Sequence, residues 1–188
     1  MLSAWFGHLF DSSLAPLAKR IPLDPNVITV AGLAVTAVAA AVIPTNLIAG
    51  GIIILVGGAL DILDGLIART NGKNTRFGAF LDSTLDRYAA AMLFIGVLWY
   101  FYNLGSLTGA VLSVGSLVGS LVVSYARARA EGLGIECKVG ILERPERVIL
   151  LAFGCISGLL FPVIILICVL SHFTAIQRII HVRKQLSS

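Results

Sequence analysis

Four aspartates stand at regular intervals in "DILDGLIARTNGKNTRFGAFLDSTLDR", residues 61–87. Asp61, Asp64, Gly65 and Ala68 follow i, i+3, i+4, i+7, so a helix presents them on one face. Gly78, Asp82 and Asp86 follow i, i+4, i+8 and share a face of the next helix. The polar connection "TNGKNTR" returns the chain, so the two acidic faces can meet. Four carboxylates in one confined place repel each other, and a divalent cation relieves that conflict. Oxygen donors without histidine or cysteine suit Mg²⁺, Mn²⁺ or Ca²⁺ rather than zinc. Four carboxylates can hold two such ions, the arrangement that clamps a phosphate during displacement. Gly65, Ala68 and Gly78 leave room for a bulky phosphorylated ligand, and Arg69 lies beside it as a phosphate partner. A solvated helix cap accounts for a lone aspartate but not for four at these intervals. Ion transport competes better, because acidic residues at membrane depth also line ion pathways.

The elements that must position these residues are apolar. The chain has 188 residues, 57% hydrophobic and 13% charged, with mean hydropathy +0.95; a soluble domain carries about a quarter charged residues. Runs 25–60, 88–126 and 148–177 contain no Asp, Glu, Lys or Arg. Each is too long for one span of about 20 residues. Each is also interrupted, by "PTN" at 44–46, "YNLGS" at 102–106 and "SGLLFP" at 157–162. Backbone hydrogen bonding excludes open sheets in lipid. The expected fold is therefore an all-α integral membrane protein with six transmembrane helices, at 27–43, 47–69, 77–102, 107–130, 146–160 and 162–182.

That layout puts all 24 charged residues on one side, and 14 of them are Lys or Arg. The positive-inside rule makes that side cytoplasmic. A multi-pass cell-membrane protein follows, with both termini and the aspartates facing the cytoplasm. Residues 1–20 differ: Leu2, Trp5, Phe6, Leu9, Phe10, Leu14 and Leu17 recur at three- and four-residue spacing. They predict an interfacial amphipathic helix preceding a six-helix domain at 21–188, although the start of a packed helix has the same pattern. Cys137, Cys155 and Cys168 have no zinc spacing, and His8, His172 and His181 are scattered. Gly115 and Gly119 form a G-x-x-x-G in "SVGSLVGSLVVS", either an internal packing face or a dimer seam.

The acidic stretch resembles a known family. Without a gap it matches D-x2-D-G-x2-A-R-x8-G-x3-D-x3-D, the signature of the CDP-alcohol phosphotransferases, at Asp61, Asp64, Gly65, Ala68, Arg69, Gly78, Asp82 and Asp86. The resemblance implies an integral membrane enzyme that moves a phosphatidyl-type group from a CDP-linked lipid to an alcohol and releases CMP. It implies that Asp61, Asp64 and Asp82 bind two Mg²⁺ or Mn²⁺ ions, with Asp86 sharing the site and acting as general base. Asp61, Gly65, Ala68, Arg69, Thr75 and Gly78 then contact the CDP-lipid. "DPNVITVAGL" at 24–33 resembles the start of the family's first helix, where Asn26 and Thr29 help hold the nucleotide; an ordinary capped helix N-terminus explains the same residues. A homodimer through the third and fourth helices is implied as well, with membrane lipid and no nucleic acid as partners.

The acceptor is addressed by "SYARARAEGLGIECKVGILERPERV", residues 124–148. Several guanidinium groups beside a metal site suit an acceptor that itself carries phosphate, and choline or ethanolamine gains nothing from them. This segment resembles the family branch that uses inositol phosphate to make phosphatidylinositol phosphate or archaetidylinositol phosphate. The resemblance assigns the acceptor phosphate to Ser124, Arg127, Arg129, Arg144, Arg147 and Arg178, although the last-helix arginine can map elsewhere in the tail. Arg183 and Lys184 read as interface anchors. Glycerol 3-phosphate, giving a phosphatidylglycerol-phosphate synthase, needs the same anion pocket. A divalent-cation transporter leaves Gly65, Ala68, Arg69 and the arginines unexplained. A UbiA-type prenyltransferase is normally longer and spaces its acidic motifs apart.

Overall fold

The computed structural model describes residues 24–187, so the amphipathic segment expected at 1–20 lies outside the described residues. Helix starts follow from local chemistry. The Asn26 N–H donates to Asp24 Oδ1 at 2.9 Å and Pro25 opens the first turn, giving α1, Pro25–Val42. Asn46 caps α2, Leu47–Thr70, through the Ala49 N–H at 3.0 Å. Thr75 caps α3, Arg76–Asn103, and Ser106 caps α4, Leu107–Glu131, each through the N–H three residues on. Pro145 lies in the first turn of α5, Arg144–Ser157, which ends at Gly158 with φ 73°. The last helix, α6, is Leu160–Leu186.

All six expected helices are present, with ends shifted by a few residues and α6 extended. Four of them, Pro25–Val42, Leu47–Thr70, Leu107–Gly132 and Leu160–Leu186, are long and apolar enough to cross a membrane. α3 has the length, but Arg76, Asp82, Asp86 and Arg87 make its first half polar. α5 has 14 residues, about 21 Å at 1.5 Å per residue, against a hydrocarbon core of about 30 Å.

The helices pack as three hairpins closed into a ring, in the order α1, α2, α5, α6, α4, α3 and back to α1. Away from the charged connections the ring is filled by Ile43, Ile54, Phe94, Val97, Phe101, Leu151, Ile164 and Ile167. Small residues set the close approaches. A Cβ on Gly96 would stand 2.4 Å from the Ala40 carbonyl oxygen, so α1 and α3 meet backbone to backbone. On α4, a Cβ on Gly115 would meet Cys168 Sγ at 2.9 Å and one on Gly119 would meet Ser171 Cβ at 2.9 Å. The G-x-x-x-G is therefore the α4–α6 packing face inside one chain, not a seam left free for a second copy. The outer surface is apolar, with Val30, Ile52, Val111 and Val169 more than half exposed. Trp99 and Tyr102 are exposed near the end of α3 remote from the aspartates, where amphipathic aromatics suit a membrane interface.

Candidate active site

The charged half of the ring holds a cavity of about 680 Å³ to which every helix contributes. One wall is acidic. Asp61 and Asp64 lie in the last turns of α2, and Asp82 and Asp86 in the first turns of α3. Carboxylate oxygens of Asp61, Asp64 and Asp82 all come within 4.8 Å of one another. Asp64 is only 5% exposed, and its Oδ2 has no hydrogen-bond partner. Leaving a buried acceptor unsatisfied costs about 1–3 kcal/mol, more when it is charged. A cation among the three carboxylates would supply the missing partner, and three hard oxygen donors at this spacing fit Mg²⁺ or Mn²⁺.

Asp86 is engaged differently. Its Oδ1 receives Arg144 Nη2 at 2.6 Å, and Nη1 of the same guanidinium donates to Asp61 Oδ2 at 2.6 Å. The aspartates thus form a cluster of three, joined to the fourth through an arginine. This departs from sequence expectation in one respect: Arg144 sits on the acidic wall rather than among the other arginines.

The residues expected at the nucleotide gather where α1 starts, α2 ends and α3 starts. The Gly78 N–H donates to Thr75 Oγ1 at 2.9 Å. A Cβ on Gly78 would lie 3.2 Å from Asn26 Oδ1, so Asn26, Thr75 and Gly78 are in contact range. Thr29 lines the cavity next to Asp64 and donates to the Pro25 carbonyl at 3.0 Å. The space left by Gly65 is used by Arg69: a Cβ there would meet Arg69 Nη1 at 3.0 Å. Ala68 is half-buried one turn beyond Asp64. Of this set, Thr29 and Asp61 line the cavity, and Asn26, Gly65, Ala68, Arg69, Thr75 and Gly78 lie outside its lining, toward the adjoining ends of α1, α2 and α3.

The opposite wall is basic. Ser124 and Arg127 from α4, Arg147 from α5 and Arg178 from α6 line it together. Arg129 does not. It is exposed, because two helical residues are about 200° apart and Arg127 takes the inward direction. Arg178 is 2% exposed and also holds structure: Nε donates to the Val139 carbonyl at 2.9 Å and Nη1 to the Val123 carbonyl at 2.6 Å. Arg147 donates to the Leu142 carbonyl at 3.0 Å. Both arginines therefore pin the 132–143 connection against the bundle while facing the cavity.

This chain matches the model of the CDP-alcohol phosphatidyltransferase family over residues 23–182. The chain belongs to that family. It is 42% identical to archaetidylinositol phosphate synthase of Methanothermobacter thermautotrophicus, over 91% of this chain and 89% of that protein. It is 39% identical to phosphatidylinositol phosphate synthase of Mycobacteroides abscessus, over 76% of this chain and 66% of that one. The crystal structure of Mycobacterium tuberculosis phosphatidylinositol phosphate synthase with CDP-DAG bound superimposes with TM-score 0.83 at 33% identity, covering 91% of this chain and 94% of that one. The same enzyme in complex with manganese and citrate gives TM-score 0.79 at 32% identity, over 92% and 88%. The chain is accordingly a CDP-alcohol phosphotransferase, and its apolar helices are those of a multi-pass membrane protein.

Three cavity residues of this transferase escape a motif-based reading. Glu131 receives Arg127 Nε at 2.9 Å, and Glu143 stands 3.6 Å from Arg178 Nη2, so the basic wall carries its own counter-charges. The first pair was visible as an i, i+4 spacing; the second joins residues far apart in the chain. Arg87 lines the acidic side and donates to the Ser83 carbonyl.

Proposed function

We propose that this enzyme transfers a phosphatidyl- or archaetidyl-type group from a CDP-linked lipid to inositol 1-phosphate, releasing CMP. The observation that carries this reading is the two-walled cavity: clustered carboxylates face Ser124, Arg127, Arg147 and Arg178 across one space. A single anionic substrate would not need both walls. A donor diphosphate held through cations and an acceptor phosphate held by guanidinium groups need one each. The inositol phosphate synthases among the relatives, and the bound CDP-DAG and manganese in the mycobacterial enzyme, support the same assignment.

Asp61, Asp64 and Asp82 would hold the divalent ions, two with Asp86 included. Mg²⁺ or Mn²⁺ there supplies charge neutralisation on the diphosphate and on the departing CMP oxygen. The protein's own residues do the rest. Asn26, Thr29, Gly65, Ala68, Arg69, Thr75 and Gly78 seat the nucleotide at the rim. The basic wall orients the acceptor so that its hydroxyl oxygen faces the lipid-bearing phosphorus. That oxygen forms a P–O bond while the diphosphate P–O bond breaks toward CMP, and Asp86 takes the hydroxyl proton. Arg129, outside the cavity, is left out of the acceptor pocket.

In this reading all six helices lie within the bilayer, α5 shortened because the cavity opens above it, and the charged end faces the cytoplasm. A homodimer through α3 and α4 would use outward apolar residues, since Gly115 and Gly119 are committed to α6.

The deciding experiment measures CMP release from CDP-lipid by purified protein, with Mg²⁺ or EDTA. Inositol 1-phosphate, inositol, glycerol 3-phosphate and serine serve as parallel acceptors. Metal-dependent release requiring inositol 1-phosphate is expected. Release with glycerol 3-phosphate alone overturns the acceptor and keeps the reaction class. In the same assay Asp86→Asn should bind CDP-lipid and lose turnover; wild-type CMP release from it removes the general-base role.

A further inference from the structure

On the acidic wall the Arg144 guanidinium bridges two of the motif aspartates, on two different helices. We infer that Arg144 is a displaceable counter-cation: it clamps Asp61 to Asp86 until a divalent ion takes those oxygens, and it then turns across the cavity toward the acceptor phosphate. This rests on the metal reading above.

Three observations carry it. First, Asp61 belongs to both arrangements. It supplies a ligand atom to the trio with Asp64 and Asp82, and its Oδ2 holds Arg144 Nη1. An ion drawing on Asp61 and Asp86 must therefore compete with the fork for the same carboxylates. Second, Arg144 can leave. It is the first residue of α5, where the helix meets the 132–143 connection, and its side chain is 33% exposed. Its neighbour Arg147 is 6% exposed and fixed to the Leu142 carbonyl, and Arg178 is fixed to two carbonyls. Arg144 instead bonds to Asp61 and Asp86, carboxylates that a cation would claim. Third, it has somewhere to go. The same cavity is lined by Ser124, Arg127 and Arg147, so a guanidinium released from the aspartates faces the wall that would receive an anionic acceptor. The consequence is an order of events: metal and donor arrive, and only then is the acceptor pocket complete. An acceptor bound first would meet a pocket short of one charge.

Mn²⁺ binding by the detergent-solubilised full chain tests this without any turnover. The electron paramagnetic resonance signal of free Mn²⁺ is followed during titration of wild type, Arg144→Lys and Arg144→Gln, each checked for a cooperative melt. Lysine keeps the positive charge but replaces a two-pronged fork by a single ammonium. Displacement predicts that Arg144→Lys binds Mn²⁺ about tenfold more tightly than wild type, since two charge-assisted hydrogen bonds no longer oppose the ion. Arg144→Gln should bind at least as tightly. Both variants should also lose the rise in inositol 1-phosphate affinity that Mn²⁺ produces in wild type. Unchanged or weaker Mn²⁺ binding by Arg144→Lys overturns the inference, including the case where only Arg144→Gln tightens, because net charge alone would then explain it. Absence of Mn²⁺ binding by folded wild type overturns the metal reading itself.

Discussion

Asp64→Asn is the substitution on which the site chemistry can be judged from stability alone. Asp64 is 5% exposed, with Oδ2 unpartnered. The asparagine has the same shape, carries no charge, and can donate its amide hydrogens to Asp61 and Asp82, whose carboxylate oxygens are within 4.8 Å of the Asp64 carboxylate. In EDTA the exchange therefore removes an unsatisfied buried acceptor and a like-charge repulsion. It should stabilise by about 1–3 kcal/mol, the cost of one buried unpaired polar group. At roughly 2–4 °C per kcal/mol for a chain of this length, Asp64→Asn melts a few degrees above wild type. With Mn²⁺ at about a hundred times its dissociation constant, wild type gains about 2.7 kcal/mol by mass action. The variant, short of one anionic ligand, gains little. The order of melting inverts between the two conditions. Thermal unfolding in detergent, with EDTA or Mn²⁺, reads this directly. If wild type melts higher in both conditions by the same margin, Asp64 is a structural carboxylate and the cation argument fails.

Three further substitutions test the packing and the basic wall. Gly96→Ala places a Cβ 2.4 Å from the Ala40 carbonyl oxygen, and overpacking of this kind costs about 1–3 kcal/mol, so the melting midpoint should fall by several degrees; an unchanged midpoint would mean that α1 and α3 separate freely. Arg127→Ala should raise the KM for inositol 1-phosphate about tenfold, the loss of one hydrogen bond to a charged group, whereas Arg129→Ala should leave it within about twofold. Equal effects would show that cavity lining does not decide which arginine serves the acceptor.

How much of this was legible in the sequence depends on whether the signal was local. The aspartates were, because a 3.6-residue period turns spacing directly into a shared face, and the turn "TNGKNTR" is short enough to bring two such faces together. The helix starts were, because Asp24, Asn46, Thr75 and Ser106 each cap within three residues. The same period separates Arg127 from Arg129, so the arginine that leaves the pocket was readable from spacing; reading "ARARA" as one cluster lost it. Arg144 was not readable. Its position depends on where the 14-residue α5 docks against α2, a tertiary fact that no local pattern encodes. Nor could sequence show that Arg178 spends two of its nitrogens on the Val139 and Val123 carbonyls. That bonding makes it part of the scaffold as well as of the cavity wall.

These pairings answer a physical difficulty that the composition raises. Ionisable groups at membrane depth are costly unless partnered, and this cavity gathers three aspartates, two glutamates and five arginines from five helices and the residue that caps α5. The cost is contained because most of the charges already have partners inside the ring. Arg144 spans Asp61 and Asp86, Arg127 meets Glu131, and Arg178 stands near Glu143. Each pair joins an element of one wall to a group that a substrate would otherwise satisfy. In the proposed reaction the substrates bring matching charges of their own: cations and diphosphate for the aspartates, phosphate for the arginines. Binding then exchanges internal pairs for substrate pairs, and the number of unpaired charges need not rise at any stage. Asp64 Oδ2, within reach of Asp61 and Asp82, has no internal partner to exchange, which is why the cation is inferred there first.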